Sequence, residues 1–108
     1  MSRPSQTYIK RFLPTFNKQL RKLRDNIRIK RIQKKVDEIV TEPYRNIKFG
    51  AGRYRGKREE RVGDDRIFFA ICEQCRKEGH QIYNLCGDCD TTPNNMITFI
   101  EIVEGHKY

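Results

Sequence analysis

At 108 residues, 36% hydrophobic and 34% charged, the chain has room for one domain with a thin core that a further staple would help. No apolar run nears the roughly 18–20 residues of a membrane span, and Met1-Ser2-Arg3-Pro4 opens no secretory signal, so a cytoplasmic protein with no membrane partner is expected. The net charge of +9 is uneven: residues 1–66 hold 20 of the 23 Lys and Arg but 8 of the 14 Asp and Glu, which leaves +12 there and −3 beyond, and such a basic half points to a polyanionic partner.

Residues 1–7 read as a disordered leader, and Tyr8 to Leu13 as a first strand with weak alternation. Pro14 suits the first position of a helix, where its missing N–H is not needed. Phe16, Leu20 and Leu23 follow on one helical face. Asp25-Asn26 ends that helix and caps a second, whose stripe is Ile29, Ile32, Val36, Ile39 and Val40. Glu42-Pro43 closes it, because a residue before proline leaves the helical region. Two helices so closely linked form an antiparallel hairpin with both stripes in the core.

Residues 43–56 form a basic loop in which Tyr44, Phe49 and Tyr54 alternate with Arg45, Lys48, Arg53 and Arg55. Aromatics among cations stack on unpaired bases and grip phosphates, so Arg45, Lys48, Arg53, Tyr54, Arg55 and the following Arg58 are the candidate nucleic-acid contacts. The same rings also serve to pin a loop to a sheet, and the sequence leaves both readings open.

Arg55–Val62 and Arg66–Cys72 read as the strands of a β-hairpin around Gly63-Asp64, a turn signal because glycine tolerates positive φ and aspartate bonds its own backbone. Strand alternation sets Ile67, Phe69 and Ile71 toward the helices and leaves Arg66 on the opposite, open side. Lys57, Glu59 and Arg61 share one face of the preceding strand. If that is the open face, Lys57, Arg61 and Arg66 converge and invite a phosphate; the competing reading pairs them with Glu59, Glu60, Asp64 and Asp65. Met96 to Val103 is the last strand, after a turn at Thr91-Thr92-Pro93-Asn94-Asn95.

Between the last two strands, Cys72-x2-Cys75 and Cys86-x2-Cys89 stand ten residues apart. Two such knuckles suit one Zn²⁺ held by four thiolates, and four protein sulfurs close the site, so the metal is expected to be structural. Gly87 eases the second knuckle, and His80 between the pairs reads as a loop residue.

Arg61-Val62-Gly63-Asp64-Asp65-Arg66-Ile67 resembles the Arg-Val-Gly-Asp-Tyr-Arg-Val/Ile run of RelE/ParE-type toxins of toxin–antitoxin systems, and Tyr54-Arg55-Gly56-Lys57-Arg58 fits the approach to the same strand. The resemblance spans residues 8–108 apart from the insert at 72–89. It implies an α+β fold, a small antiparallel sheet packed on a two-helix hairpin; the zinc-ribbon-like insert between the last two strands is a departure, since typical members lack it. The resemblance also implies a ribosome-dependent mRNA endonuclease, attack of a ribose 2′-OH on the adjacent phosphate, and an acidic antitoxin partner. The residues carried over are Lys57, Arg61 and Arg66 at phosphate, with His106 or Tyr108 of the closing Gly105-His106-Lys107-Tyr108 moving the proton. Glu59 stands where many active members carry a base, and Glu60 where they carry an apolar residue. Two alternatives therefore stay open: a gyrase-poisoning ParE-like toxin, and a non-enzymatic zinc-containing RNA- or DNA-binding module.

Overall fold

The computed structural model describes residues 7–87, 89 and 91–105. Apart from Thr7, the expected leader lies outside the described residues, as do His106 and Tyr108. The elements run β1 (Ile9–Phe12), α1 (Pro14–Lys22), α2 (Asn26–Thr41), β2 (Arg58–Val62), β3 (Asp65–Ile71), α3 (Cys72–Glu78) and β4 (Met96–Val103), with 3-10 turns at Gly52–Tyr54 and His80–Tyr83. No helix among the described residues is long and apolar enough to cross a membrane.

Pro14 opens α1 as expected, and Asp25 caps α2, its side chain accepting from the backbone N–H groups of Ile27 at 3.0 Å and Arg28 at 3.2 Å. These are two of the four donors that a helix start leaves unpaired. Asp25→Ala is expected to cost about 1 kcal/mol in urea unfolding; an unchanged midpoint would show that water replaces the cap.

The four strands form one sheet in the order β1-β4-β3-β2. It is mixed, not antiparallel throughout: β1 pairs parallel with β4, while β2–β3 and β3–β4 are antiparallel. The helical pair returns the chain to the side it left, so β2 sets out in the sense of β1. Two further reversals then make β4 parallel to β1. Phe16, Ile32, Val36 and Ile39 of the helices pack on Ile67, Phe69, Ile71, Ile97, Phe99 and Ile102 of the sheet. At about 25 cal/mol per Å² of apolar surface removed from water, this layer is the main source of stability.

The face away from the helices is not open. Phe68 and Ala70 are buried there, the first under Tyr54 and the second against Cys75 and Ile100. Tyr54 stacks on Phe68 with ring centroids 4.3 Å apart. The basic loop also runs beside β2, where Phe49 bridges Arg58 and Glu59 N–H donates to the Lys48 carbonyl at 2.9 Å. It thereby covers an edge that would otherwise present unpaired backbone.

A second departure lies in the insert. Cys72, expected as the end of the strand, sits with Cys75 on the first turn of α3. Glu73 in the first turn and Arg76 and Lys77 in the last complement the helix dipole, and Gly79 at φ 74° closes the helix in the left-handed region. Arg76 clamps the far side of the insert, donating to the carbonyls of Cys89 and Thr92 and to Asn94 Oδ1.

Candidate functional site

The β2–β3 hairpin turns through Gly63-Asp64, with Val62 paired to Asp65 and Gly63 at φ 61°. Glycine at the first central position is what a type II′ turn requires. Directly behind the turn, Arg61 and Arg66 face each other across the two strands. Two like charges in that position repel unless counter-charges are near.

Those counter-charges differ between the two. Arg61 is 67% exposed along its side chain and donates from Nε to the Gly63 carbonyl at 2.8 Å, with Asp64 4.0 Å away. Arg66 is held from below: its Nε donates to Glu59 Oε2 at 3.0 Å, and Lys48 Nζ lies 3.2 Å from the same oxygen. Glu59 is buried, so its carboxylate is a fixed anchor for both.

α2 brings two further arginines to the same place. Arg28 forks onto Asp65, Nε donating at 3.1 Å and an Nη at 2.7 Å, and Glu104 approaches it at 3.8 Å. That bidentate bond holds the Arg28 guanidinium above its ordinary pKa. Arg31 is exposed one helical turn further on. Arg28, Arg31, Arg61 and Arg66 line one cleft of about 680 Å³ with Val62, Gly63, Asp64, Asp65, Glu104 and Gly105. Four guanidiniums against three carboxylates leave it cationic, and guanidinium forks match phosphate oxygens. Arg28 and Arg31 were missed from the sequence, which singled out only the apolar stripe of that helix. Their i, i+3 spacing puts them on one face, but only the docking of α2 aims that face at the hairpin.

Lys57 is on the expected side of the sheet but not in this cleft. It is ion-paired with Glu101 and lies over the Tyr54 ring, 5.6 Å from its centroid. With Arg53 and Arg55 it lines a second cleft of about 470 Å³, whose other wall is Tyr83, Asn84 and Leu85 of the insert. The three cations proposed at phosphate are thus divided, two in one cleft and one in another, with Glu59 between them. Gly105, the last described residue, borders the arginine cleft.

Of the candidate nucleic-acid contacts, Arg45, Lys48, Arg53 and Arg55 are exposed. Tyr54 and Arg58 are not: Tyr54 is the pin of the loop, and Arg58 is 1% exposed. Arg58 donates to the carbonyls of Pro43 at 2.7 Å and Asn46 at 2.6 Å and to Gln74 Oε1 at 3.1 Å. The rings of Phe69, Tyr44 and Phe49 surround its guanidinium at 5.2, 5.7 and 6.0 Å. Burial lowers its pKa, and Glu60 and Tyr44 work against that.

The four cysteines are free thiols, Cys72 and Cys75 buried and Cys86 and Cys89 half-buried. Burial pushes Cys75 up to about 12, and the neighbouring Cys72, Cys86 and Cys89 add to the shift. The sulfurs therefore lie within reach of one another's charge. Among the described residues, however, no three His, Cys, Asp or Glu are grouped to hold a metal ion. The two observations differ in range: charge acts over several ångströms, whereas tetrahedral zinc with bonds of about 2.3 Å needs sulfurs about 3.8 Å apart. In donor type the set fits zinc.

Among solved structures the chain is similar to one in the toxin–antitoxin complex RelBE2 from Mycobacterium tuberculosis, with a TM-score of 0.63 and 17% identity over 92% of this chain and 99% of that one. The likeness is one of fold, a RelE-like α+β arrangement. No protein-family model matches the sequence, and no curated protein matches it.

Proposed function

We propose that this protein is the toxin of a toxin–antitoxin pair and that it cleaves messenger RNA on the ribosome. The observation that carries the reading is the arginine cleft at the hairpin end of a RelE-type fold. In the proposed reaction a ribose 2′-OH attacks the adjacent phosphorus, the bond to the 5′ oxygen of the next nucleotide breaks, and a 2′,3′-cyclic phosphate and a 5′-OH form. Arg61 and Arg66 stabilise the charge that builds on the phosphate oxygens. Arginine does not release its own proton near neutral pH. Moving the proton from the 2′-OH to the departing 5′ oxygen therefore falls to His106 or Tyr108, which follow Gly105 within a chain reach of about 10 Å. Lys57, in the neighbouring cleft, binds a flanking phosphate. The test is primer extension on mRNA from translating cells, with Arg61→Ala and Arg66→Ala beside the wild type; new mRNA ends in the wild type alone support the reading.

The partner in this reading is an acidic antitoxin. Lys18, Arg21, Lys22, Lys30 and Lys34 stand exposed on the helical hairpin and offer it complementary charge. One observation favours a second reading. The buried Glu59 already neutralises Arg66, which suits a module that binds RNA or DNA without cutting it. Salt-sensitive binding with no new ends assigns that function, and altered supercoiling assigns a gyrase poison.

Cys72, Cys75, Cys86 and Cys89 are proposed to hold one structural Zn²⁺ per chain. Zinc there supplies a cross-link between the start of α3 and the loop that leads to β4, and takes no part in the reaction. Protein purified without added metal is expected to contain about one equivalent of zinc, and chelation is expected to erase hydrogen-exchange protection of α3 first. Two disulfides and no metal would overturn the assignment.

A further inference from the structure

The second cleft has a wall that belongs to the insert. The Tyr83 ring, 39% exposed, lies over Gly56, where a Cβ would come within 2.6 Å of it. Gly56 has φ +87°, so neither the space nor the backbone there admits a side chain. A row of rings holds the insert in place, His80 lying 5.6 Å from Tyr83 and 5.3 Å from Phe49 of the basic loop. Facing Tyr83 are Arg53, Arg55 and Lys57, and no acid lines the cleft among the described residues. Arg53 is stacked over Tyr54 at 5.0 Å and bonded to its hydroxyl at 2.7 Å, so its guanidinium is already oriented. Arg53 also lines a smaller groove with Glu101 and Glu104, and Glu104 borders the arginine cleft. Arg53 and Glu104 thus place the two basic clefts on either side of this groove.

We propose that the second cleft binds a single-stranded RNA segment flanking the cleaved phosphate, with Arg53 and Arg55 on its backbone and one base stacked on Tyr83. An exposed ring opposite cations is the arrangement that grips single strands without reading their sequence, whereas an acidic peptide has no use for the ring. The insert thereby extends the RNA surface of the fold. The proposal rests on RNA being the substrate, as argued above, but binding tests it apart from cleavage.

The experiment is fluorescence anisotropy of a labelled 12-nucleotide single-stranded RNA with the full chain, across a salt series. Tyr83→Ala is expected to weaken binding about tenfold with an unchanged salt slope, and Tyr83→Phe to stay within about twofold of wild type. Arg55→Ala is expected to weaken binding and to reduce the slope by about 0.7, one phosphate of a single strand. Thermal midpoints equal to wild type show that the variants are folded. Wild-type affinity in both Tyr83→Ala and Arg55→Ala, with binding lost only in Arg61→Ala, would overturn the proposal. Displacement of the RNA by polyglutamate from a site indifferent to Tyr83→Ala would also overturn it, in favour of an acidic protein. Losses in these variants without any mRNA cleavage leave the second cleft standing and remove the nuclease reading; cleavage with Tyr83-independent binding does the reverse.

Discussion

Replacing Arg58 by alanine is expected to lower the unfolding free energy by about 3–5 kcal/mol, more than any other single charge change among the described residues. The side chain is 1% exposed, and its nitrogens reach the carbonyls of Pro43 and Asn46 and the amide oxygen of Gln74. Alanine leaves the buried Pro43 carbonyl without this donor, removes the part-buried bonds to the Asn46 carbonyl and the Gln74 amide oxygen, and opens a cavity among Tyr44, Phe49 and Phe69. Since a domain of this size holds a total of about 5–15 kcal/mol, the variant is near its limit. Arg58→Lys reaches fewer of the three acceptors, because it lacks the planar fork, and is expected to fall between. The comparison is Arg61→Ala, whose side chain is 67% exposed and whose loss should stay within about 0.5 kcal/mol. Urea midpoints of the three variants check the order. A cost below about 1 kcal/mol for Arg58→Ala would mean that water enters and satisfies the loop carbonyls.

The second large effect concerns cleavage. Arg61→Ala is expected to reduce the yield of new mRNA ends by about a hundredfold, the usual loss when one donor to a developing oxyanion is removed. Stability should not change, because the side chain is solvated. Arg66→Ala is expected to lose as much activity and, in addition, about 1–2 kcal/mol of stability, because the buried Glu59 is deprived of one of its cations. The pair of variants separates the two roles proposed for the hairpin: substrate contact for the arginine at the rim, and substrate contact together with a place in the frame for the one beneath it. Equal cleavage by wild type and Arg61→Ala would remove the nuclease assignment for this cleft.

Much of the frame was legible because its signals are local. Pro14, Asp25 and Glu42-Pro43 mark helix ends through the chemistry of one or two residues. The stripes of α1 and α2 follow from helical periodicity, and Gly63-Asp64 from turn chemistry. The insert was read less well. Cys72-x2-Cys75 pointed to a metal knuckle, while Glu73, Arg76, Lys77 and Gly79 carried an ordinary helix signal that a sulfur spacing does not exclude.

What the sequence by itself determined is the set of strands and helices outside the insert, the core stripes of both helices, the hairpin turn and the basic character of residues 1–66. The tertiary structure alone decided which charges meet. Arg55, Lys57 and Arg58 are neighbours in sequence, yet one faces solvent, one pairs with Glu101 and one is buried. Strand alternation in β4 would turn Glu101 toward the helices with Ile97 and Phe99. Instead Phe68 pairs with Glu101 and Phe69 with Phe99, so Ile100 is bulged, Glu101 turns away to Lys57, and Ile102 joins the core. A bulge is set by the fit between two strands, and the charge pairs by the docking of α2 and the insert. Both depend on contacts between residues far apart in the chain, which no local pattern records.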